Sequence, residues 1–556
     1  MTFRISWLIL PLAWCMTTGA LADDLDSELV DPAEDDTAAD SAPDAAYASA
    51  SADDDGQTMR LSLNESIRFA LQNNLDVEVQ RFTPLIAGEF ETQAWGVYDP
   101  EFFAEFGYSD VEHPSSFILD GQTLSTGDSY DGIGGIQGLV PYLGSFYSFQ
   151  FNGERTTTNN VIQSYSPELR SSFTLAITQP LLRGLIWNEA WTRVKTSRVI
   201  YDESLENFRT RVMDTVQEVE DAYWTLIATS EQMRVAQKSL ETAEALLDQT
   251  EVQYEVGVVS KVEVVEAEAG VADRDFNLIA AENFFSDAQD RLINLVFATD
   301  LTPESTLRIE PTDAPKDYVT YHVDAEESTR LAFQQRPEIK IADDEIERQK
   351  LQLKFAKNER LPALDIQFVY GNRGLSGKQN SNLVGIGGVP APPGSVPEGN
   401  FGDTLDNYFS DSAADQVSAR AILSIPIPNT TARSRVSQGE LQLRRATVDK
   451  RRLEQNIILE VRKAVRDLKS SQEGIEAAQR ASAASAEQLR AERIRLEYGE
   501  STPFDVLLRE EDFVEAESRE IDAIRLYRIS VTGLSRAQGS ILANRNIAID
   551  EISAVQ

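Results

Sequence analysis

The 556 residues carry 91 acidic against 51 basic side chains, a net charge of −40, with 42% apolar residues. A balance this acidic excludes the basic surface that nucleic-acid recognition requires. With a single cysteine, Cys15, and two histidines, His113 and His322, thiolate metal centres, disulfides and most histidine-based catalysis are disfavoured. Chemistry resting on carboxylates alone is the enzymatic option that composition leaves open.

Arg4 precedes an apolar stretch from Ile5 to Met16, followed by Ala20-Leu21-Ala22 ahead of Asp23. A positive start, a short apolar core and an A-x-A site predict a cleaved secretory signal peptide over 1–22. The stretch is too short for a membrane span of roughly 20 residues. Trp14 stands where a lipoprotein site requires a small residue, so cleavage after Ala22 is favoured over lipidation of Cys15. Residues 23–58 form an acidic segment with thirteen acids and no lysine or arginine between Asp23 and Asp55. Such a composition cannot bury enough apolar surface to offset its ordering entropy and predicts disorder. Residues 56–556 keep a charge of −28.

The remaining chain is written twice. Glu65-Ser66-Ile67-Arg68-Phe69-Ala70-Leu71-Gln72 returns 262 residues later as Glu327-Ser328-Thr329-Arg330-Leu331-Ala332-Phe333-Gln334. The same offset relates Pro100 and Tyr108 to Pro362 and Tyr370. It falls to 246 between Pro180 and Pro426, and to 242 between Gly257 and Gly499. The copies span 59–300 and 321–545, with a Pro-punctuated linker at 301–320 and a tail at 546–556.

Each copy opens with a helix of about 30–35 residues, spaced by Ile67, Leu71 and Leu75 in the first. The period then switches to two. Phe102, Phe106 and Tyr108 share a face opposite Glu105 and Gly107, and Leu364, Ile366, Phe368 and Tyr370 share one opposite Asp365 and Gln367. Return strands alternate alike through Phe173, Leu175 and Ile177, and through Ala421, Leu423 and Ile425. Alternation fits a barrel wall between lipid and a wet lumen as well as it fits a half-buried antiparallel sheet. The first connection between paired strands holds a further alternating run at Tyr147, Phe149 and Phe151, and whether the hairpin near 133–153 joins the sheet is left open.

Very long helices follow. Asn188 to Val256 contains neither proline nor glycine, about 100 Å if wholly helical. Val212, Val219, Leu226, Met233, Leu240, Leu247 and Tyr254 recur every seventh residue, the spacing of a coiled-coil seam. Val461, Leu468, Ile475, Leu489 and Leu496 keep it in the second copy, with Ser482 as the exception. After turns at Gly257 and Gly499, return helices extend to about Phe297 and Ala543.

The two turns, Tyr254-Glu255-Val256-Gly257-Val258-Val259-Ser260-Lys261-Val262-Glu263 and Tyr498-Gly499-Glu500-Ser501-Thr502-Pro503-Phe504-Asp505, share one skeleton. Gly supplies a tight connection where a Cβ would crowd. Ser260 and Thr502 cap the next helix, and Glu263 and Asp505 complete capping boxes. These turns, the duplicated order and the junctions at Pro180 and Pro426 resemble the outer membrane efflux protein family, the TolC-like ducts. The resemblance implies a mainly α fold with a membrane β-barrel portion: a homotrimer with about four main strands per chain, twelve in all, and a long coiled-coil-like α-helical barrel. It implies a periplasmic tip constricted by Glu263, Glu266 and Asp505, with Val256, Gly257, Val258, Ser260, Gly499 and Thr502 in the turns where an adaptor docks. It also places Leu496 and Ser501 where the family can carry the tyrosine and arginine that tie the closed tip. The implied function is the passive exit duct of a tripartite efflux or type I secretion system, with no enzymatic activity and no cofactor. Its implied partners are a periplasmic adaptor, an inner-membrane transporter and outer-membrane lipid, but no nucleic acid. The alternatives are a soluble periplasmic coiled-coil scaffold, which leaves the strands unused, and a carboxylate enzyme, for which no cleft is indicated.

Overall fold

A computed structural model describes residues 58–114, 123–298, 307–314, 316, 318–385, 388–409 and 414–548. The expected signal peptide with Cys15, the acidic segment up to residue 57, linker residues 301–306 and the last eight residues lie outside the described residues.

Each copy starts with a broken helix rather than a continuous one. In the first, α1 (Leu63–Asn73) and α2 (Leu75–Trp95) part at Asn74. The Asn74 side chain accepts from the backbone N–H groups of Asp76 and Val77 and so starts a new helix. In the second, α5 (Ala325–Gln335) and α6 (Pro337–Glu359) part at Arg336, 262 positions later. There Pro337 occupies the first helical position, where its missing N–H costs nothing. The periodicity runs through both breaks because a cap changes direction without changing the spacing of apolar residues.

The sheet follows. Strands β2 (Glu101–Pro114), β3 (Leu124–Leu139), β4 (Phe146–Thr158), β5 (Tyr165–Pro180), β7 (Ala363–Gln379) and β8 (Ala414–Ser424) form one antiparallel sheet in that order. The four expected strands are its β2, β5, β7 and β8. The hairpin left open by the sequence joins as β3 and β4, so among the described residues the chain gives this sheet six strands. In the second copy the corresponding connection folds differently: α7 (Phe401–Asp406) lies on the sheet, with the Tyr408 hydroxyl donating to Ser171 Oγ at 2.6 Å.

Two long hairpins complete the copies: α3 (Glu189–Glu255) with α4 (Lys261–Val296), and α8 (Thr430–Glu497) with α9 (Pro503–Gln538). At 67 and 68 residues, α3 and α8 are each about 100 Å long. In α8 the sevenfold series is buried at Val461, Leu468, Ile475, Ser482 and Leu489 and only partly buried at Leu496, so serine keeps the seam despite its polarity. In α3 the series is buried at Val212, Val219 and Leu226, then yields to Val235, Ser239, Ala243, Leu246 and Thr250. Met233, Leu240, Leu247 and Tyr254 are partly buried or exposed. A straight helix drifts about 20° per heptad, and the small side chains carry the contact where the drift takes it. The second return helix stops at Gln538 rather than near Ala543. Gly539 takes φ +78° there, and a Cβ on it would lie 2.9 Å from the Gln335 carbonyl carbon. A separate turn, α10 (Ile541–Asn544), follows.

The expected linker contains structure. Arg308–Pro311 form β6, parallel to β1 (Thr58–Leu61). Its Ile309 enters the main core with Leu61, Ile67, Phe208, Val216, Tyr223, Leu292 and Ile541. Each such side chain contributes about 1.5–3 kcal/mol on burial. Polar ties join the copies at this level: Arg536 Nε donates to Asp214 at 2.7 Å, and Arg545 Nε donates to the buried Glu220 at 2.7 Å.

Candidate functional site

The two turns at the far ends of the long hairpins are built alike. In the first, the Val258 N–H donates to the Gln253 carbonyl and the Gly257 N–H to the Tyr254 carbonyl, both at 2.9 Å. In the second, the Glu500 N–H donates to the Arg495 carbonyl at 2.9 Å and the Gly499 N–H to the Leu496 carbonyl at 3.0 Å. This paired closure satisfies carbonyls that the helix end leaves open, and it needs a left-handed residue. Gly257 and Gly499 supply it at φ +80° and +72°. The crowding expected there is absent, since a Cβ on either would meet nothing within 4 Å. The requirement for glycine is conformational.

Three residues on, both return helices open with a capping box. The Ser260 N–H donates to Glu263 Oε1 at 3.2 Å. The Thr502 hydroxyl donates to Asp505 Oδ2 at 2.8 Å, and the Asp505 N–H donates to Thr502 Oγ1 at 3.3 Å. Hydrogen bonds from the Thr502 side chain, then from its backbone, hold the Asp505 carboxyl below the usual carboxylate range, with Arg495 adding a weaker attraction. Asp505 is therefore an anion at neutral pH. Glu263 is half-buried within its box, whereas Glu266 and Asp505 are exposed. Among the described residues, no hydrogen bond or ion pair joins Asp505 to either glutamate.

Packing brings the two turns together through their helices. Leu246 of α3, Leu489 of α8 and Val506 and Leu507 of α9 form one apolar cluster, with Val271 of α4 against it. Gly270 of α4 sits close to the Leu507 side chain, and Arg274 Nη2 donates to the Leu507 carbonyl at 3.0 Å. Burial pushes the Glu510 carboxyl up in this seam, opposed by Arg493 and Arg274.

Sequence reasoning missed the polar lock of the second turn. Glu492 accepts from Arg495 at 3.2 Å and from the Ser501 hydroxyl, and Arg495 also donates to the Glu500 carbonyl. The basic residue sits one position before Leu496, which the resemblance matches to a tyrosine. Beside the expected Val256 and Val258, the sequence reading missed how far the apolar rim extends. Val256, Val258 and Tyr498 are 70, 72 and 80% exposed, joined by exposed Val262, Val265, Phe504 and Leu508.

At the other end, Pro180 closes β5 opposite Asp365, and Pro426 follows the end of β8. The intervening backbone is tied across copies: the Leu181 N–H donates to the Leu364 carbonyl at 2.8 Å and the Gly184 N–H to Asn358 Oδ1 at 2.7 Å. Register through all six strands puts Phe102, Phe106, Ile136, Phe149, Leu175, Tyr370, Val417 and Leu423 on one face. Phe102 and Phe106 are 73 and 86% exposed. Glu105, Asp131, Asn152, Glu154, Arg170, Arg373 and Arg420 share the opposite face. Among the described residues, no helix is long and apolar enough to cross a membrane, and no acid, histidine or cysteine group is clustered to hold a metal.

Long helical hairpins joined to a sheet with one apolar and one charged face define the fold of the TolC-like outer-membrane channels. Solved structures share it. A membrane protein from Pseudomonas aeruginosa superposes with a TM-score of 0.61 at 16% identity, covering 86% of this chain and 92% of that one. The CmeC outer membrane channel of Campylobacter jejuni gives 0.59 at 14%, covering 88% and 89%. The open state of the MtrE outer membrane channel of Neisseria gonorrhoeae gives 0.57 at 17%, covering 86% and 89%. No curated protein sequence matches significantly. The family model of the outer membrane efflux protein matches residues 138–296 and 329–540, and the chain belongs to that family.

Proposed function

We propose that this protein is the passive exit duct of a tripartite efflux or type I secretion assembly, working as a homotrimer. The observation that carries the reading is the two-faced sheet with two unpaired edges, β2 and β8. Lipid tolerates an apolar face but no open edge, and a ring of copies satisfies both conditions. The signal peptide of residues 1–22 would deliver the chain to the periplasm, and the acidic segment would precede the two repeats. The long hairpins would continue the barrel as a helical tube into the periplasm.

At the tip, Glu263, Glu266 and Asp505 from three chains would form acidic rings that repel one another and concentrate cations. The exposed valines and Tyr498 around the turns offer an adaptor its apolar contact. Opening requires the tip helices to splay, and a partner drives it only by binding the open form better. No bond is made or broken in the duct, and the energy comes from an inner-membrane transporter.

Extraction from outer-membrane fractions, only by detergent, as a heat-sensitive trimer that conducts ions in a planar bilayer is the expected result. Release into the soluble fraction would overturn it in favour of a periplasmic scaffold.

A further inference from the structure

Among the described residues, the strands β3 and β4 have no counterpart in the second copy. The repeat offsets equate β2 with β7 and β5 with β8, leaving this hairpin as an addition to the first copy. It is not a decoration. Leu124–Leu139 pairs along all of β2, from Glu101↔Gln137 to Pro114↔Leu124, and Phe146–Thr158 pairs with β5 from Phe146↔Thr178 to Thr156↔Glu168. Its turn sits at the helical end of the sheet, where the Tyr142 ring lies 4.3 Å from the Trp191 ring at the start of α3. The hairpin therefore spans the full height of the sheet. It also keeps the two-faced pattern: Ile136 and Phe149 are exposed on the apolar face, while Gln137 and Gln150 lie on the charged one. A loop hairpin in water has no need of an exposed Ile and Phe on one face only.

Five antiparallel steps separate β2 from β8, so the two edges run in opposite directions. The β8 of one copy can thus meet the β2 of the next in the same antiparallel ladder, with the apolar faces continuous. We propose that the subunits join edge to edge in this way, six strands per copy, closing an eighteen-stranded barrel in the trimer. This rests on the trimeric duct reading and departs from its expected twelve strands. Barrel diameter grows about linearly with strand number, so the lumen is about half again as wide, within the range of strand numbers that leaves an aqueous channel. Asp131, Asn152 and Glu154 of the hairpin would line that channel. The barrel is then no filter, and selection among bulky hydrated solutes falls to the tip.

The only cysteine, Cys15, lies in the expected signal segment, so single cysteines can be introduced into the full-length protein without background. Ile136→Cys, Gln137→Cys, Phe149→Cys and Gln150→Cys test the hairpin in proteoliposomes. A charged, water-soluble thiol reagent should modify 137 and 150 at least tenfold faster than 136 and 149, which should react instead with a lipid-soluble maleimide. Ala104→Cys combined in turn with Ala419→Cys and Ala421→Cys should give crosslinks between copies. Equal water reactivity on both faces of the hairpin, with three chains by native mass, would overturn the eighteen-strand wall while leaving the duct. A chain count other than three would overturn the trimer and the number eighteen together. Failure of every β2–β8 crosslink alongside correct face labelling would overturn the edge pairing.

Discussion

Arg274 of α4 reaches across to α9 and donates a hydrogen bond to the Leu507 carbonyl at 3.0 Å, fastening the first copy's return helix to the second's close to the tip turns. The contact is buried and lies beside Glu510, whose carboxyl burial pushes up. Replacing Arg274 by methionine keeps the apolar stem and removes the donor. A hydrogen bond to a charged group contributes about 1.5–3 kcal/mol, and its loss falls on a seam that has to part when the tip opens. Arg274→Met should raise single-channel open probability in a planar bilayer and speed amide exchange at the start of α9. Unchanged gating and exchange would mean that the seam does not resist opening.

The turn glycines are required by φ alone, which makes a clean substitution series. Gly257→Ala or Gly499→Ala forces a Cβ into the left-handed region at about 1–2 kcal/mol, and asparagine is tolerated better. Because nothing else surrounds either site, no overpacking confuses the result. Hydrogen exchange at the Val258 and Glu500 amides should accelerate about tenfold for alanine and less for asparagine. Equal effects from both replacements would point to a steric cause instead.

Two half-buried acids give the stability a pH dependence of opposite signs. Burial pushes Asp221 up to about 6, with Glu220 and Glu218 adding to it and Gln217 and Arg291 opposing. A raised acid stabilises fully below its unfolded value of about 3.9 and loses that contribution as pH rises through 6. Glu338 is also pushed up by burial, but the Arg336 hydrogen bond and the charges of Arg536 and Arg336 outweigh this and hold it at about 2. Its contribution is present above about 4.3 and lost as pH falls toward 2. Thermal denaturation should therefore show wild type more stable at pH 5 than at pH 7.5. Asp221→Asn should flatten that difference and gain about 2 kcal/mol at pH 7.5, whereas an undiminished slope would assign the effect to other groups.

How far the sequence was legible follows from which physical signals are local. The capping boxes at Ser260 and Thr502 were readable because donor and acceptor lie three residues apart. The seam of α8 was readable because its period is strict, even through Ser482. The α3 stripe was readable only to Leu226, since beyond it the contact follows helix drift and small residues that carry no hydrophobic signal. The break at Asn74 was hidden because a cap preserves periodicity, although Pro337 in the second copy marked the same place. Membership of β3 and β4 in the sheet depends on pairing across tens of residues, and alternation alone does not report pairing. At the tip, the Glu492–Arg495–Ser501 lock escaped because its basic residue is Arg495 on α8, six positions before Ser501, where the resemblance places the arginine.

The two faces of the sheet give the last prediction, because one charge should act oppositely on each. Phe106 and Asp131 lie one residue out of step across the β2–β3 ladder, where Phe106 opposes Gly132 and Asp131 opposes Gly107. They therefore point to opposite faces. An arginine at Phe106 would face lipid, at about 2–4 kcal/mol near the bilayer midplane, and should deplete heat-sensitive trimers in outer-membrane fractions. Asp131→Arg would face water in the lumen, leave the trimer intact and shift reversal potential toward anions in a salt gradient. A soluble scaffold has no reason to distinguish the two positions in this way, since Phe106 is already 86% exposed and an arginine there would be solvated at little cost. Depletion of trimers by the first substitution, together with altered selectivity by the second, is therefore the combination that only a barrel wall produces.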